Sequence, residues 1–383
     1  MKSLLTLITI IALAAGLRFY QLGSNPPSLD WDEVSLAYNA YSLLTTGHDE
    51  YGNAFPVLSI RSFNDYKPPM YVYTLMPSLF IFGKTDFAIR FPSALAGTLT
   101  VLITYFLVKE LFLFARVRPL QSRGSDPNEI VPLLAAALLA ISPWHLQFSR
   151  IAFEANLGLF FLSLGIYFLV RSFRQSLFMP FAAFTLGLGI FAYHSLRLII
   201  PLLVLSLLLP RFHWLKQHLK PTFTAIGIST IFIVLLLRVI SQGAGQARLK
   251  SVSIFTIPTL TQAGDNRIRQ DHYSFLSRFI NHRFWAYGQQ IAIGYLDHFN
   301  PNFWFIDGDG NPRHHAANFG LLYLIEAPFL ILGVIQLMRR HSFAAKILLP
   351  WFFLSPLASS LTSGTPSAVR SLFFLPTFQI FTA

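Results

Sequence analysis

The chain has 383 residues, of which 54% are hydrophobic and only 12% charged, with 39 phenylalanines and a net charge of +12. A soluble domain carries about 25% charged residues, so this composition points to an integral membrane protein, and the absence of cysteine excludes disulfides, thiol catalysis and Cys-ligated metals. In such a chain an excess of Lys and Arg reports topology and anionic lipid, not nucleic acid.

Met1-Lys2 followed by "SLLTLITIIALAAGL" has the charged start and apolar stretch of a secretory signal, with "ALAAG" resembling a cleavage site. Apolar character resumes at Phe19-Tyr20 and further spans follow, so the segment reads as an uncleaved first helix that also acts as a signal-anchor. Apolar runs predict helices at 3–20, 89–113, 131–148, 153–170, 178–193, 197–210, 221–240, 319–338, 346–361 and 370–383. The tenth reaches about 21 Å at 1.5 Å per residue, short of the roughly 30 Å hydrocarbon core. The chain is therefore expected to be a fragment, or a longer protein trimmed at its C-terminus.

Connections alternate in charge. Loops at 114–130, 171–177, 211–220 and 339–346 hold most of the twelve Lys and Arg that run from Lys109 to Lys346 on one side. The short loops opposite hold only Arg150, Arg197 and Arg370. The positive-inside rule then makes the N-terminus cytoplasmic and sets two long loops, 21–88 and 241–318, outside. Their mixture of turn residues and apolar stretches predicts folded caps. In the first, "DEVSLAYNAYSLLTTG" predicts an amphipathic surface helix, with Val34, Ala37, Tyr38, Tyr41 and Leu44 at helical spacing and Gly47 as its stop.

Ionisable groups gather on the outer side. Asp30, Asp32 and Glu33 follow the first helix, and Lys67 lies in "FNDYKPPMYVY" just past Asp65. Arg150 and Glu154 flank "RIAFE", while His194 and Arg197 occupy "YHSLR". Each has a plain structural reading. The acids can cap a helix N-terminus, Lys67 can anchor at the interface, and Arg150 with Glu154 at i and i+4 can share a helix face as an ion pair. His194 and Arg197 can meet lipid headgroups. Four segments converging on one side weigh instead for a substrate path. "DGDGNPRHH" offers Asp307, Asp309, His314 and His315, but adjacent histidines rarely reach one ion. It also lacks the positions of a calcium loop, so it reads as a loop-closing element.

The chain resembles the GT-C membrane glycosyltransferases, the superfamily of protein O-mannosyltransferases and the lipid A aminoarabinose transferase. The likeness is to their bacterial relatives that share one glycosyltransferase domain. It is carried by "PPSLDWDEVSLAYNAYSLLTTG", "DYKPPMYVY", "AIRFPSALAGTLTV", "SPWHLQFSRIAFEANL", "AYHSLRLIIPLL" and "FIDGDGNPRHHAANFGLLYLIEAPFLILG", in that order, with weak detail over 242–300. The resemblance implies an all-α polytopic protein, one GT-C-type bundle of about ten transmembrane helices over 1–383 with outer loops at 21–88 and 241–318. It implies transfer of a sugar from a polyisoprenyl-phosphate carrier, with inversion, to an extracytoplasmic hydroxyl on a glycan, lipid or protein. An acceptor hydroxyl needs a base, and a lipid-phosphate leaving group needs its growing charge matched. Carried over by motif, Asp32 is the expected base, Glu33 shapes the site and Glu154 is the second acid. Lys67 and Arg197 are expected on the carrier phosphate, and Tyr66, Arg150 and His194 as further substrate contacts. Some superfamily members use a divalent ion and others do not, so the resemblance leaves a metal open. The implied location is a bacterial plasma membrane. The rival reading is a transporter or flippase; against it, the charges cluster at the outer surface and no inverted repeat is visible.

Overall fold

The computed structural model describes residues 2–63, 65–115, 127–241, 243, 252–316, 319–340 and 342–383. After α1 (Lys2–Phe19), the first long loop folds as α2 (Trp31–Thr46), a short hairpin and α3 (Met70–Phe82). The hairpin pairs β1 (Ile60–Ser62) antiparallel with β2 (Asp65–Lys67), setting Ile60 opposite Lys67. The bundle continues with α4 (Asp86–Ala115), α5 (Pro127–Ile141), α6 (Pro143–Ser149), α7 (Glu154–Ser172), α8 (Met179–Ala192), α9 (Leu196–Leu208), α10 (Phe212–Gln217) and α11 (Leu219–Ser241). Among the described residues five helical stretches are long and apolar enough to cross a membrane: α1, α4, α7, Leu196–Gln217 and α11.

A bent pair of helices together reaches the same length and apolar character. The expected single span 131–148 breaks between α5 and α6, whose axes meet at 58°. Ser142 precedes a proline, which disfavours helical backbone there. Pro143 then opens α6 as its first residue, with the Ser142 side chain accepting from the His145 amide. The later segments also depart from the expected spans, with Pro356 and Pro376 standing at two of the breaks. The helix expected at 319–338 begins only at Glu326; 346–361 splits into Ala345–Leu354 and Leu357–Ser360, and 370–383 into a turn at Leu372–Phe374 and a helix at Thr377–Thr382. The basic loop 116–126 lies outside the described residues.

The α2 helix begins with a capping box. The Asp30 side chain accepts from the Asp32 amide at 2.5 Å, and Glu33 accepts from the Asp30 amide at 3.1 Å. Gly47, at φ 74°, ends it in the left-handed region that glycine adopts without strain. Leu36, Ala40 and Leu43 pack inward with Tyr71, Val72 and Leu75 of α3. Of the stripe predicted from the sequence, Val34, Tyr38, Tyr41 and Leu44 face outward with Trp31, whereas Ala37 is partly buried and packs on the core beside α3. The α3 helix itself was expected only as an apolar stretch.

Beneath α2 lies a closed polar joint. Arg90, on α4, is fully buried, and all five of its N–H donors are engaged. Nε reaches Glu33 Oε1 at 3.0 Å, and one amino group reaches Glu33 Oε2 at 3.2 Å and Ser28 O at 2.8 Å. The other amino group reaches Leu22 O at 3.2 Å and Pro26 O at 2.7 Å. Glu33 Oε1 also accepts from the Ala152 amide at 2.9 Å. One ion pair thus fixes the α1–α2 linker, the start of α2, the start of α4 and the α6–α7 junction.

That joint explains a second departure. Arg150 and Glu154 do not share a helix face, because α6 stops at Ser149 and Phe153 is extended before α7 starts. The Ala152 amide that a continuous helix would send to Phe148 O goes to Glu33, and Phe148 O accepts instead from Ser93 Oγ at 2.9 Å. Arg150 donates to Leu17 O, Tyr20 O and Asn25 O at 2.6–2.9 Å, holding the end of α1.

Removing one partner of a buried ion pair leaves an uncompensated charge, which costs about 3–5 kcal/mol. Glu33→Gln and Arg90→Met are therefore each expected to lower the unfolding midpoint in detergent steeply, and the double variant to recover part of the loss. Equal midpoints for wild type and both single variants would remove the pair from this structural role.

Candidate active site

A half-open polar cavity of about 350 Å³ opens where the outer segments meet. The N-terminus of α2 contributes Trp31 and Asp32, and β2 contributes Asp65 and Lys67, with Pro68 beside them. Phe153 and Glu154 enter at the start of α7, and Tyr193 and His194 from the turn after α8. Asn311, Arg313 and His314 come from the second long loop, and Val369 and Arg370 from the last outer turn.

Capping geometry aims the acids. With Asp30 as cap, Asp32 and Glu33 occupy successive helical positions about 100° apart, so Glu33 turns down to Arg90 while Asp32 turns to the cavity. Its Oδ1 contacts Lys67 Nζ directly. Burial draws the Lys67 ammonium down, but the carboxylates of Glu154, Asp32 and Asp65 outweigh it and hold the pKa above the ordinary lysine value. On the other side, Arg313 pairs with Asp30 Oδ2 at 2.6 Å and lies 3.8 Å from Asp32 Oδ2. Its guanidinium sits 4.9 Å from the centre of the Trp31 ring. Gln147 Nε2 donates to Arg313 O at 2.9 Å, anchoring the strap to α6.

The expected site residues divide. Asp32, Lys67, Glu154 and His194 meet at the cavity. His194 also pairs with Tyr66 O at 3.1 Å, joining the α8–α9 turn to the hairpin. Glu33 is a buried support, and Tyr66, Arg150 and Arg197 lie outside the cavity lining. Arg197 Nε donates to Ile190 O at 3.4 Å. Sequence reasoning did not assign Trp31, Asp65, Asn311, Arg313 or Arg370 to the site. Arg370 did carry a signal, being one of few basic residues on the sparsely charged side. Arg313 meets an acid 283 positions away, which no local pattern reveals.

The "DGDGNPRHH" stretch closes a loop. Asp309 Oδ2 accepts from His314 Nδ1 at 2.6 Å and from the Ala368 amide at 2.7 Å, and His315 pairs with Asp309 O at 2.9 Å. Burial works against the Asp309 carboxylate, yet donation from His314 and the Ala368 and Asn311 amides holds its pKa below the usual value. Among the described residues no three His, Asp or Glu side chains converge as metal ligands.

A family described as dolichyl-phosphate-mannose-protein mannosyltransferase matches over residues 66–118, a stretch that opens at the hairpin and takes in Lys67, α3 and α4. None of the curated proteins matches the chain. Similar solved structures include the oligosaccharyltransferase AglB from Archaeoglobus fulgidus in complex with an inhibitory peptide and a dolichol-phosphate. It has a TM-score of 0.53 and 14% identity, over 100% of this chain and 50% of that one. The same organism's oligosaccharyltransferase tethered to an acceptor peptide has a TM-score of 0.56 and 15% identity, over 99% and 48%. ArnT from Cupriavidus metallidurans bound to undecaprenyl phosphate has a TM-score of 0.58 and 13% identity, over 98% and 59%. The chain is thus an integral membrane protein with the GT-C fold, and it spans about half the length of the solved structures it matches.

One wall of the cavity is held from behind by a buried histidine. His298 is fully buried; its Nδ1 pairs with Gly294 O at 2.6 Å, while Nε2 accepts from the Ser367 amide at 3.2 Å and meets Ser359 Oγ at 2.9 Å. It thereby holds the turn that carries Arg370. Burial lowers its pKa to about 4. The ordinary value is about 6.5, so its contribution to stability is complete above that pH and is lost as pH falls towards 4, by about 3 kcal/mol. The unfolding midpoint should fall over that window, and His298→Asn should flatten the slope. An identical slope in the variant would assign the pH dependence to other groups.

Proposed function

We propose that this protein is a membrane glycosyltransferase that moves a sugar from a polyisoprenyl-phosphate carrier to an acceptor hydroxyl, with inversion. The observation that carries the reading is the direct contact of Asp32 with Lys67 in a polar cavity of a GT-C fold. The family match begins at the hairpin that bears Lys67, and similar structures hold dolichol-phosphate and undecaprenyl phosphate. Both observations support a lipid-phosphate donor.

The acceptor oxygen attacks the anomeric carbon while its proton passes to Asp32. The bond from that carbon to the phosphate oxygen breaks, its electron pair goes to the phosphate, and Lys67 meets the new charge. Arg197, three residues beyond His194, is the second proposed phosphate ligand. Glu154 faces the same cavity as Lys67 and takes the hydroxyls of sugar or acceptor, with His194 beside it. Glu33, through Arg90, positions Asp32 without touching substrate, and Tyr66 and Arg150 support the hairpin and the α1–α2 linker. The proposed setting is a bacterial plasma membrane with the N-terminus in the cytoplasm and the cavity facing outward. The acceptor is a glycan, lipid or protein hydroxyl.

Membranes containing the protein, supplied with a panel of polyprenyl-phosphate sugars and followed by mass spectrometry, are expected to yield one class of transferred sugar. Asp32→Asn should lower transfer by about 10²- to 10⁴-fold in a folded protein. Undiminished transfer would remove Asp32 as the base. Lys67→Ala should weaken binding of the lipid phosphate, and unchanged affinity would reject its assignment.

A further inference from the structure

We infer that the carrier phosphate itself switches on the base: it takes Lys67 from Asp32 and so opens the carboxylate oxygen that the acceptor hydroxyl must reach. The inference rests on the transferase reading above and adds an order of events to it.

A base can take a proton only on an oxygen with a lone pair facing the donor. Asp32 Oδ1 is engaged by Lys67, and Oδ2 lies 3.8 Å from the Arg313 guanidinium. Both oxygens thus face cations before any substrate is present. Arg313 is the less available of the two, because its short contact is to Asp30 at 2.6 Å and it is packed over Trp31. Lys67 is the partner able to transfer. Its side chain is 9% exposed against 32% for Asp32, so the cavity is its route to an incoming anion. Once it moves to the phosphate, Oδ1 is free towards the same cavity.

The charges agree with the exchange. Before reaction Asp32 carries one negative charge and the phosphodiester one. Afterwards Asp32 holds the proton and is neutral, and the released phosphate monoester can carry two charges. Negative charge leaves Asp32 as it grows on the phosphate, and a single ammonium reaching both sites follows it. Without the carrier, Oδ1 of Asp32 stays engaged by its own lysine, so donor binding precedes acceptor activation at that oxygen.

Binding of undecaprenyl phosphate to the full chain in lipid nanodiscs tests this without any turnover. Asp32→Asn releases Lys67, so affinity should rise about three- to tenfold, although the variant is inactive. Lys67→Met should bind more weakly than wild type, and the double variant should match Lys67→Met, because the gain acts only through Lys67. Asp65→Asn controls for general repulsion in the same cavity, and Asp32→Ala provides a second variant should Asp32→Asn fail to fold. If both Asp32 variants leave affinity unchanged or lower it while Lys67→Met weakens it, Lys67 holds both anions at once; the exchange is then overturned and the transferase reading stands. If the Asp32→Asn gain persists in the Lys67→Met background, or Asp65→Asn gives an equal gain, repulsion is the cause and the exchange is overturned. If Lys67→Met binds as well as wild type, the phosphate assignment falls, and the exchange with it.

Discussion

The buried pair of Glu33 and Arg90 is the constraint on which the cavity-bearing end of this protein depends. A guanidinium with five donors and a carboxylate with about four lone-pair sites can be taken out of water at tolerable cost only if nearly all of these are matched. Here the matching groups are backbone atoms of the α1–α2 linker and of the α6–α7 junction. Those segments are therefore held by the requirement to satisfy one ion pair. The helix break before Glu154 and the path of residues 22–28 follow from the same requirement.

The arrangement of the cavity is a consequence. Asp30, Asp32 and Glu33 are neighbours in sequence and have three separate jobs. Asp30 caps α2 and receives Arg313, Glu33 goes to Arg90, and Asp32 is left at the surface of the joint facing Lys67. A helix turns about 100° per residue, and that rotation is what separates the buried acid from the cavity acid. Lys67 arrives by an independent route, through a three-residue strand ended by Pro68 and Pro69. The strap at 307–316 arrives by a third, fixed at its base by Asp309 and at its tip by Arg313.

The two faces of α2 differ in what they meet. Its inner side packs on α3, and its outer side presents Trp31, Val34, Tyr38, Tyr41 and Leu44. The outward stripe and the polar cavity meet at the N-terminus of α2. Trp31 belongs to both, since it is part of the outward stripe and also lines the cavity under Arg313.

Much of this was legible from the residues alone. Low charge and long apolar runs determine a polytopic helical protein, because the hydrocarbon core admits little else. Local rules place the Asp30 cap, the Gly47 stop and the turn chemistry of "DGDGNPRHH". The alternating charge of the loops predicts that Asp32, Lys67, Glu154 and His194 share one side, and the structure gathers these four at one cavity. Tertiary structure decided what depends on partners distant in sequence. Glu33 became a support once Arg90 was beneath it. Arg150 left its i+4 partner because Glu33 and Ser93 claimed the backbone groups a continuous helix needs. Arg313 and Arg370 joined the cavity although both stand far in the chain from Asp32, Lys67, Glu154 and His194. Periodicity and capping are properties of adjacent residues and can be read in one dimension. The matching of buried charge is a property of groups brought together by folding, and only the folded chain settles it.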